Sequence, residues 1–182
     1  MRELSLHISD ILENSRVAGA SLIEIKIVED LKQDRLVITV ADNGKGIEKE
    51  VLERVFDPFF TTRTCRKVGL GLPLFKAAAR RCNGDVEITS TPGKGTTVHA
   101  VFQHSHIDRA PLGKLVSSLV IFIAGAPDID LVYTHHVDEK GFTFDTRVLR
   151  EELEGVPLNT PPVLNWISDY LRECLQEIGS CA

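Results

Sequence analysis

An alternation of isoleucine with charged residues near the start of the chain places the strongest limit on its fold. Ile23, Ile25 and Ile27 occupy every second position, and charged residues stand between them. This period of two predicts a β-strand with one buried face. The preceding segment has helical periodicity instead and ends near Gly19. Its apolar face is formed by Leu4, Ile8, Ile11, Leu12, Ser15 and Ala18.

The same periodicities continue to Gln103 and predict an alternation of helices and strands. A second strand, Leu36–Ala41, is apolar on both faces and is expected to be the more central of the first two strands. Turns rich in glycine and proline separate the elements. The further predicted elements are a short helix at Glu48–Val55, a helix at Leu72–Cys82, and strands at Val86–Ser90 and Thr96–Phe102.

The composition changes after Gln103, and we predict a domain boundary there. Residues 1–103 form the first predicted domain, and residues 104–182 form an α+β extension that could serve as a partner or dimer module. We expect the hairpin of this extension to lengthen the sheet of the first domain, because an isolated hairpin is marginal in water. The predicted elements are a helix at Asp108–Ala124, a hairpin of Leu131–Val137 with Gly141–Asp145, and helices at Arg147–Glu154 and Pro162–Ile178, the last with Thr160 as N-cap.

Charge and cysteine content exclude several classes of protein. With a net charge of −5 over 182 residues, a general binder of nucleic acid or of anionic membranes is not expected. The longest apolar run, Val116–Ala126, is shorter than the roughly 20 residues that span a bilayer. Residues 1–10 lack a secretory signal, so we expect a cytoplasmic protein with reduced thiols. The cysteines form no C-x-x-C pair, which argues against zinc or an iron–sulfur cluster.

Two segments could carry chemistry in the first domain. Asp10 and Asn14 are one helical turn apart, and their oxygens suit a Mg²⁺ ion that bridges phosphates. Asp42 follows the second strand, where its carboxylate could accept a hydrogen bond from an exocyclic amine. Gly44 and Gly46 would let the backbone approach a flat base. Taken singly, the first pair could be the polar flank of an ordinary helix, and the second segment an ordinary turn.

A third and a fourth segment lie between the short helix and the next long helix. Phe56–Arg63 contains three phenylalanines, which are more often core residues than ligand-stacking residues. Gly69–Leu72 opens a helix, where free N–H groups and the helix dipole favour phosphate. Arg63 and Lys67 add positive charge nearby, although a basic loop in solvent would look the same. We expect residues 61–68 to be a mobile loop over a ligand.

Taken together and in order, these segments resemble the gyrase, heat-shock chaperone, histidine kinase and MutL (GHKL) superfamily. The helix with Asp10 and Asn14 resembles its N box, Asp42–Gly46 its first glycine box, Phe56–Thr62 the F box of histidine kinases, Gly69–Leu72 its second glycine box, and Gly93–Thr97 its last box. The resemblance implies a Bergerat-type two-layer α/β sandwich with a mixed sheet that binds ATP and Mg²⁺. It implies a catalytic role for Asp10, a Mg²⁺ ligand in Asn14, and an ATP site formed by Asn14, Asp42, Gly44, Gly46, Ile47, Arg63, Lys67, Gly69, Leu70, Gly71, Leu72 and Thr97.

The type of ATP-binding protein is less sharply defined. Family ATPases usually carry glutamate where Asp10 stands, and Arg16 is expected to replace a lysine that kinases have at the position of Val17. None of the six histidines precedes an acidic residue, as a phosphoacceptor histidine usually does. Three hypotheses remain: a stand-alone kinase that acts on a separate protein, as the anti-sigma factor kinases do, an ATPase whose nucleotide state drives dimerisation or partner binding, and a regulatory module that senses nucleotide without turnover.

Overall fold

The alternating isoleucines form a β-strand of the sheet, as predicted. In the computed structural model, which describes residues 3–57 and 71–180, helix α1 (Leu4–Val17) is followed by strands β1 (Leu22–Asp30) and β2 (Arg35–Asp42). The two strands are antiparallel, with Ile25 opposite Val40. The three isoleucines of β1 are all buried, because one face of the strand is covered.

The remaining elements of the first 103 residues also agree with the prediction. The short helix is α2 (Lys49–Leu52), the long helix is α3 (Gly71–Arg81), and the strands are β3 (Asp85–Thr91) and β4 (Gly95–Gln103). Strand β4 pairs antiparallel with both β2 and β3. The predicted mobile loop at residues 61–68 and most of the aromatic segment lie outside the described residues.

The predicted helix at Asp108–Ala124 is wrong at its beginning, since α4 spans only Leu115–Gly125. Pro111 disfavours helical geometry in the residue before it, and Gly113 adopts a left-handed φ of 74°. The extended segment has a structural purpose of its own. The carbonyls of Pro111 and Leu112 accept hydrogen bonds of 2.9 Å from the N–H groups of Leu4 and Ser5, which lack partners within α1 because they open the helix.

The C-terminal part joins the same sheet. It contains β5 (Asp130–Val137), β6 (Lys140–Asp145), α5 (Thr146–Glu152) and α6 (Pro161–Ile178). Strands β5 and β6 form the predicted hairpin, and β5 pairs parallel with β1. The sheet therefore has six strands in the order β3-β4-β2-β1-β5-β6. The hairpin extends the first sheet as expected, whereas a domain boundary at residues 103 and 104 stays a prediction.

Helices cover the sheet as the second layer. They pack as neighbours in the order α3, α1, α4 and α6, and α1, α3 and α6 also contact strands. The predicted mixed α/β sandwich is thus confirmed. Among the described helices, none combines the length and the apolar character needed to cross a membrane. The helical layer brings α1 beside α3, and this contact assembles the candidate site.

Candidate functional site

The carboxylate of Asp42 is held at the point where three elements meet. Its Oδ1 accepts hydrogen bonds from the N–H of Gly44 at 2.9 Å and from the N–H of Thr96 at 3.3 Å. Its Oδ2 accepts one from Oγ of Ser15 on α1, at 2.7 Å. A carboxylate has about four acceptor positions, so three bonds from described residues leave room for one more donor. Asp42 is therefore a fixed acceptor, suited to a ligand amino group.

The loop after Asp42 is tied to both of its neighbours by backbone hydrogen bonds. The N–H of Lys45 donates to the carbonyl of Ala18 at the end of α1, at 3.0 Å, and the carbonyl of Lys45 accepts from Gly93 N–H at 2.8 Å. The N–H of Ile47 donates to Oγ of Ser90 at 2.9 Å. Because Gly93 and Ser90 belong to the β3–β4 hairpin, the first and last glycine segments form one rigid unit.

Three glycines in this unit allow close approaches that a side chain would block. A Cβ at Gly44 would lie 2.9 Å from Cβ of Ala18. A Cβ at Gly46 would overlap the carbonyl oxygen of Thr91, and one at Gly95 would overlap that of Asp42. Gly46 also has a φ of 72°, which favours glycine. These residues are glycines because the backbone segments are in contact, which explains the spacing of the two boxes.

Asp10 meets the beginning of α3. Both Asp10 and Asn14 are exposed on α1. A Cβ built on Gly71, the first residue of α3, would lie 3.2 Å from Oδ2 of Asp10. Asp10 of the predicted Mg²⁺ pair therefore lies beside the predicted phosphate-binding helix start, although about 60 residues separate them in the chain. Leu72 follows in the first turn of α3.

Other predicted site residues have separate positions. Thr97 is half-buried in β4, opposite Ala41, the residue before Asp42. Arg16 forms a two-point ion pair with Glu13, at 2.7 and 2.8 Å, so its replacement of the kinase lysine stays a prediction. The residues Arg63, Lys67, Gly69 and Leu70 lie outside the described residues.

Sequence reasoning missed two residues that complete the site. Ser15 was counted only with the apolar face of its helix, yet its hydroxyl holds Asp42. His7 is buried one turn before Asp10 and contacts α3. A polar residue on an otherwise apolar helix face was the available signal in both cases. Asn43 also has a structural role, because its Oδ1 accepts hydrogen bonds from the N–H groups of Ser21 and Leu22.

A second buried polar cluster lies far from Asp42. Glu29 accepts hydrogen bonds from Ser180 at 2.6 Å and pairs with His104 at 2.8 Å and His135 at 2.9 Å. Burial alone would raise the pKa of Glu29, but these hydrogen bonds outweigh it and hold the pKa at about 2. Glu29 is at the opposite end of β1 from Ile23, which pairs with Asp42, so about 20 Å of strand separates the cluster from the site.

Known proteins with similar sequences include a family model and several sensor kinases. The family model described as "Histidine kinase-, DNA gyrase B-, and HSP90-like ATPase" matches residues 2–106. The sensor histidine kinase YxdK of Bacillus subtilis (strain 168) is 40% identical over 74 residues, which is 38% of this chain and 23% of that protein. The sensor histidine kinase WalK of the same organism is 36% identical over 96 residues, covering 50% of this chain and 15% of WalK.

Solved structures resemble most of the fold at low sequence identity. The Aquifex aeolicus MutL ATPase domain complexed with ADP has a TM-score of 0.52 and 17% identity, and the match covers 85% of this chain and 68% of that one. The N-terminal domain of a DNA repair protein has a TM-score of 0.54 and 18% identity, covering 80% and 52%. The chain spans less than a quarter of the length of the sensor kinases named above.

Proposed function

The chain belongs to the histidine kinase-, DNA gyrase B- and HSP90-like ATPase family, and from this premise we propose that it binds ATP with Mg²⁺ and transfers the γ-phosphoryl group to a separate protein. The observation that carries the proposal is the fixed carboxylate of Asp42, which keeps one acceptor position for a further donor. The amino group of adenine is such a donor.

The proposed ATP position follows from the order of these groups. Adenine would bond to Asp42 and lie along the backbone of Gly44 and Gly46, with Ile47 and Thr97 at its border. The phosphates would lie at the start of α3, at Gly71 and Leu72, because the positive end of a helix dipole favours anions. Gly69, Leu70, Arg63 and Lys67 complete the proposed phosphate contacts.

The residues next to the proposed phosphate position fit a magnesium ion. Asn14 offers an amide oxygen and Asp10 a carboxylate one turn away, and Mg²⁺ in such sites binds through one or two protein oxygens, substrate phosphates and water. When bound, the ion would neutralise phosphate charge and orient the γ-phosphoryl group. We assign the ligand role to Asn14 and the catalytic role, through a bound water or the phosphate, to Asp10.

The histidines support a separate protein as phosphoryl acceptor. His7 and His135 are buried. His99 is hydrogen-bonded to Thr39 at 3.0 Å, and His104 to Glu29 at 2.8 Å. His106 accepts from the N–H of Asp108 at 3.1 Å, and His136 lies against Gly141. Because each one is engaged in the fold, the accepting side chain is expected outside these 182 residues, and the proposal assigns it to a separate protein.

A nucleotide-driven switch is the second candidate function. Aspartate at position 10 has a shorter reach than the glutamate that serves as general base in ATPases of the family, and the position of a base decides its efficiency. Slow hydrolysis would leave a long-lived ATP state, which could control dimerisation or the binding of a partner. Sedimentation of the chain with ADP and with a non-hydrolysable ATP analogue tests this candidate, since a dimer specific to the analogue would support it.

Calorimetry and labelling test the main proposal. Titration with ATP should show binding that weakens when Mg²⁺ is omitted, and Asn14→Ala should remove most of this Mg²⁺ dependence. With γ-labelled ATP, no label should accumulate on the chain itself. The rate of phosphate release without a partner should be low. It should rise in Asp10→Glu if poor activation of water by Asp10 limits hydrolysis. Absence of ATP binding to the unmodified chain, or stable labelling of one of its histidines, would contradict the proposal.

A further inference from the structure

Strand β6 forms one edge of the six-stranded sheet, opposite the edge formed by β3. Lys140, Gly141 and Thr143 of this strand are exposed. Helix α5, which follows β6 directly, turns back towards β5, where Arg150 pairs with Asp130 at 3.1 Å. The helix therefore leaves the outer side of β6 uncovered.

Hydrogen bonds at the start of β5 define which way the backbone groups of the hairpin point. The N–H of Asp130 donates to the carbonyl of Ser21, just before β1, at 2.9 Å. The N–H of Leu131 donates in the other direction, to Oγ1 of Thr146, just after β6, at 2.8 Å. Because successive residues of a strand direct these groups to opposite sides, even-numbered residues of β5 face β1 and odd-numbered residues face β6.

This alternation gives Gly141 and Thr143 of β6 outward-pointing backbone groups. They lie opposite His136 and Thr134, two even-numbered residues of β5. In an antiparallel pair, residues directly opposite each other exchange either both hydrogen bonds or none. The N–H and C=O groups of Gly141 and Thr143 therefore point away from β5, and in the part of the chain that the structure describes no loop or turn bonds to them. Such a row of donors and acceptors fits another extended strand.

The sequence of β6 does not protect this edge from pairing. Charged residues in an edge strand oppose its pairing with another strand, and β3 at the other edge carries Asp85 and Glu87. Between its charged ends, β6 has only the sequence Gly-Phe-Thr-Phe at 141–144, without proline and without a bulge in its register with β5. The two edges of the sheet thus differ, and β6 is the one that can accept a strand.

An aromatic stack supplies apolar surface beside the same edge. The ring of Phe144 in β6 lies 6.2 Å from that of Tyr170 in α6, and Tyr170 stacks on Trp166 with centroids 5.1 Å apart. Trp166 is 49% exposed. Since stable protein interfaces bury more surface than one pair of strands provides, an exposed aromatic stack next to β6 favours a partner larger than a single strand.

A second copy of this chain complements β6 when the two strands run antiparallel about a two-fold axis through Thr143. The opposed pairs are then Lys140 with Thr146, Gly141 with Asp145, Phe142 with Phe144, and Thr143 with Thr143 of the other copy. Aromatic and threonine pairs across strands are favourable, and no like charges meet. An axis through Phe142 would instead place Asp145 opposite Glu139, and two acidic residues in that position repel each other.

We propose that the chain forms a homodimer through β6, in which the sheets of two copies continue as one sheet. The interface is isologous, because the same strand contributes from both copies. The homodimer does not depend on ATP and should be present without nucleotide. It is therefore distinct from the nucleotide-driven dimer of the second candidate function.

Substitutions of Thr143 test the proposed pairing. Thr143→Pro removes an outward N–H from each copy and leaves the bonds to β5 in place, so the Kd of the dimer should rise roughly 30-fold, as expected for two hydrogen bonds. Thr143→Lys and Thr143→Glu should each give monomers, because like charges would meet at the axis. An equal mixture of these two variants should restore the dimer. Thr89→Lys, at an exposed position of β3, is the matched control and should remain dimeric.

Sedimentation of the whole chain without nucleotide, over a range of concentrations, measures each state, and circular dichroism confirms that each variant is folded. Dimers of the unmodified chain and of the mixed variants, with monomers of the separate charged variants, support the proposal. If Thr143→Pro does not fold, the two charged variants decide. The proposal is wrong if the unmodified chain is monomeric at every concentration or dimerises only with nucleotide. It is equally wrong if the charged variants remain dimeric, or if their mixture stays monomeric.

Discussion

Oγ of Ser15 donates a 2.7 Å hydrogen bond to Oδ2 of Asp42, which is 27 residues further along the chain. The bond connects α1 to the end of β2 and fixes one carboxylate oxygen, while the N–H groups of Gly44 and Thr96 fix the other. A carboxylate held in this way loses little conformational freedom when a ligand binds, which favours affinity.

Replacement of Ser15 by alanine should therefore weaken ATP binding without unfolding the chain. The loss of one neutral donor should cost about 1 kcal/mol, or roughly fivefold in affinity. Calorimetry measures the change. Ser9→Ala is the matched control on the same helix, because among the described residues the Ser9 hydroxyl bonds only to the carbonyl of Ser5. Equal affinities for the two variants would show that Ser15 does not prepare Asp42 for the ligand.

Asp42→Asn should reduce ATP affinity more strongly. The amide has only one acceptor oxygen and presents an NH₂ group to donors, so both the internal bonds and the adenine contact are impaired. Hydrogen bonds to charged groups contribute about 1.5–3 kcal/mol, which predicts a loss of at least tenfold by calorimetry. Asp138→Asn is the control: it makes the same chemical change in the β5–β6 turn, where φ is 49° and asparagine is tolerated. An unaltered affinity in Asp42→Asn would remove the adenine assignment.

Gly46→Ala should destabilise the chain much more than Gly93→Ala. Both glycines have a left-handed φ, 72° at Gly46 and 75° at Gly93, so each substitution carries a backbone cost of roughly 1–2 kcal/mol. Only the Cβ at position 46 would overlap the carbonyl of Thr91, whereas the Cβ at position 93 has nothing within 4 Å. Thermal melting compares the two variants, and the difference between their melting temperatures reports the steric contact alone. Similar melting temperatures would mean that the loop can move away from the hairpin without cost.

Glu29 should make the stability of the chain depend on pH in the acidic range. Its pKa is lowered from 4.5 to about 2, so between these values the unfolded chain binds a proton that the folded chain does not. The contribution of Glu29 to the free energy of unfolding is therefore fully present above pH 4.5. It is lost as the pH falls towards 2, by up to about 3 kcal/mol.

Urea unfolding at a series of pH values tests this dependence. Glu29→Gln should be less stable than the unmodified chain near pH 7, because the charge-assisted bonds to its carboxylate are lost, and should lose less stability between pH 4.5 and 2. Glu87→Gln, at an exposed position of β3, is the matched control. If the free energy of unfolding fell with pH as steeply in Glu29→Gln as in the unmodified chain, the cluster would not titrate in this range.

A fragment of residues 1–106, the part that matches the family model, should not fold as well as the whole chain. Removal of β5 would turn β1 into an edge strand, and exposed edges favour aggregation. It would also uncover α1, against which α4 packs. We expect lower solubility and a lower melting temperature, measured by light scattering and circular dichroism. A monomeric fragment that binds ATP like the whole chain would show that residues 107–182 are an independent module.

The sequence alone determined the elements and the order of the site segments. Period-two alternation in residues 23–27 and glycines at fixed spacings are local signals, because each depends on one strand or one turn, and they led to the strands, the sandwich and the family. The helix predicted at residues 108–114 was wrong, since Pro111 and Gly113 support an extended segment whose carbonyls complete the start of α1.

The tertiary structure alone decided which distant side chains meet. The pairs of Ser15 with Asp42 and of His7 with Phe75 join separate elements, and no local pattern encodes a contact between residues so far apart in the chain. The parallel pairing of β5 with β1 is likewise set by packing, because any strand of suitable hydrophobicity could occupy that edge. Residue types therefore predict the chemistry of the site, whereas the support of the site depends on packing between helices and strands.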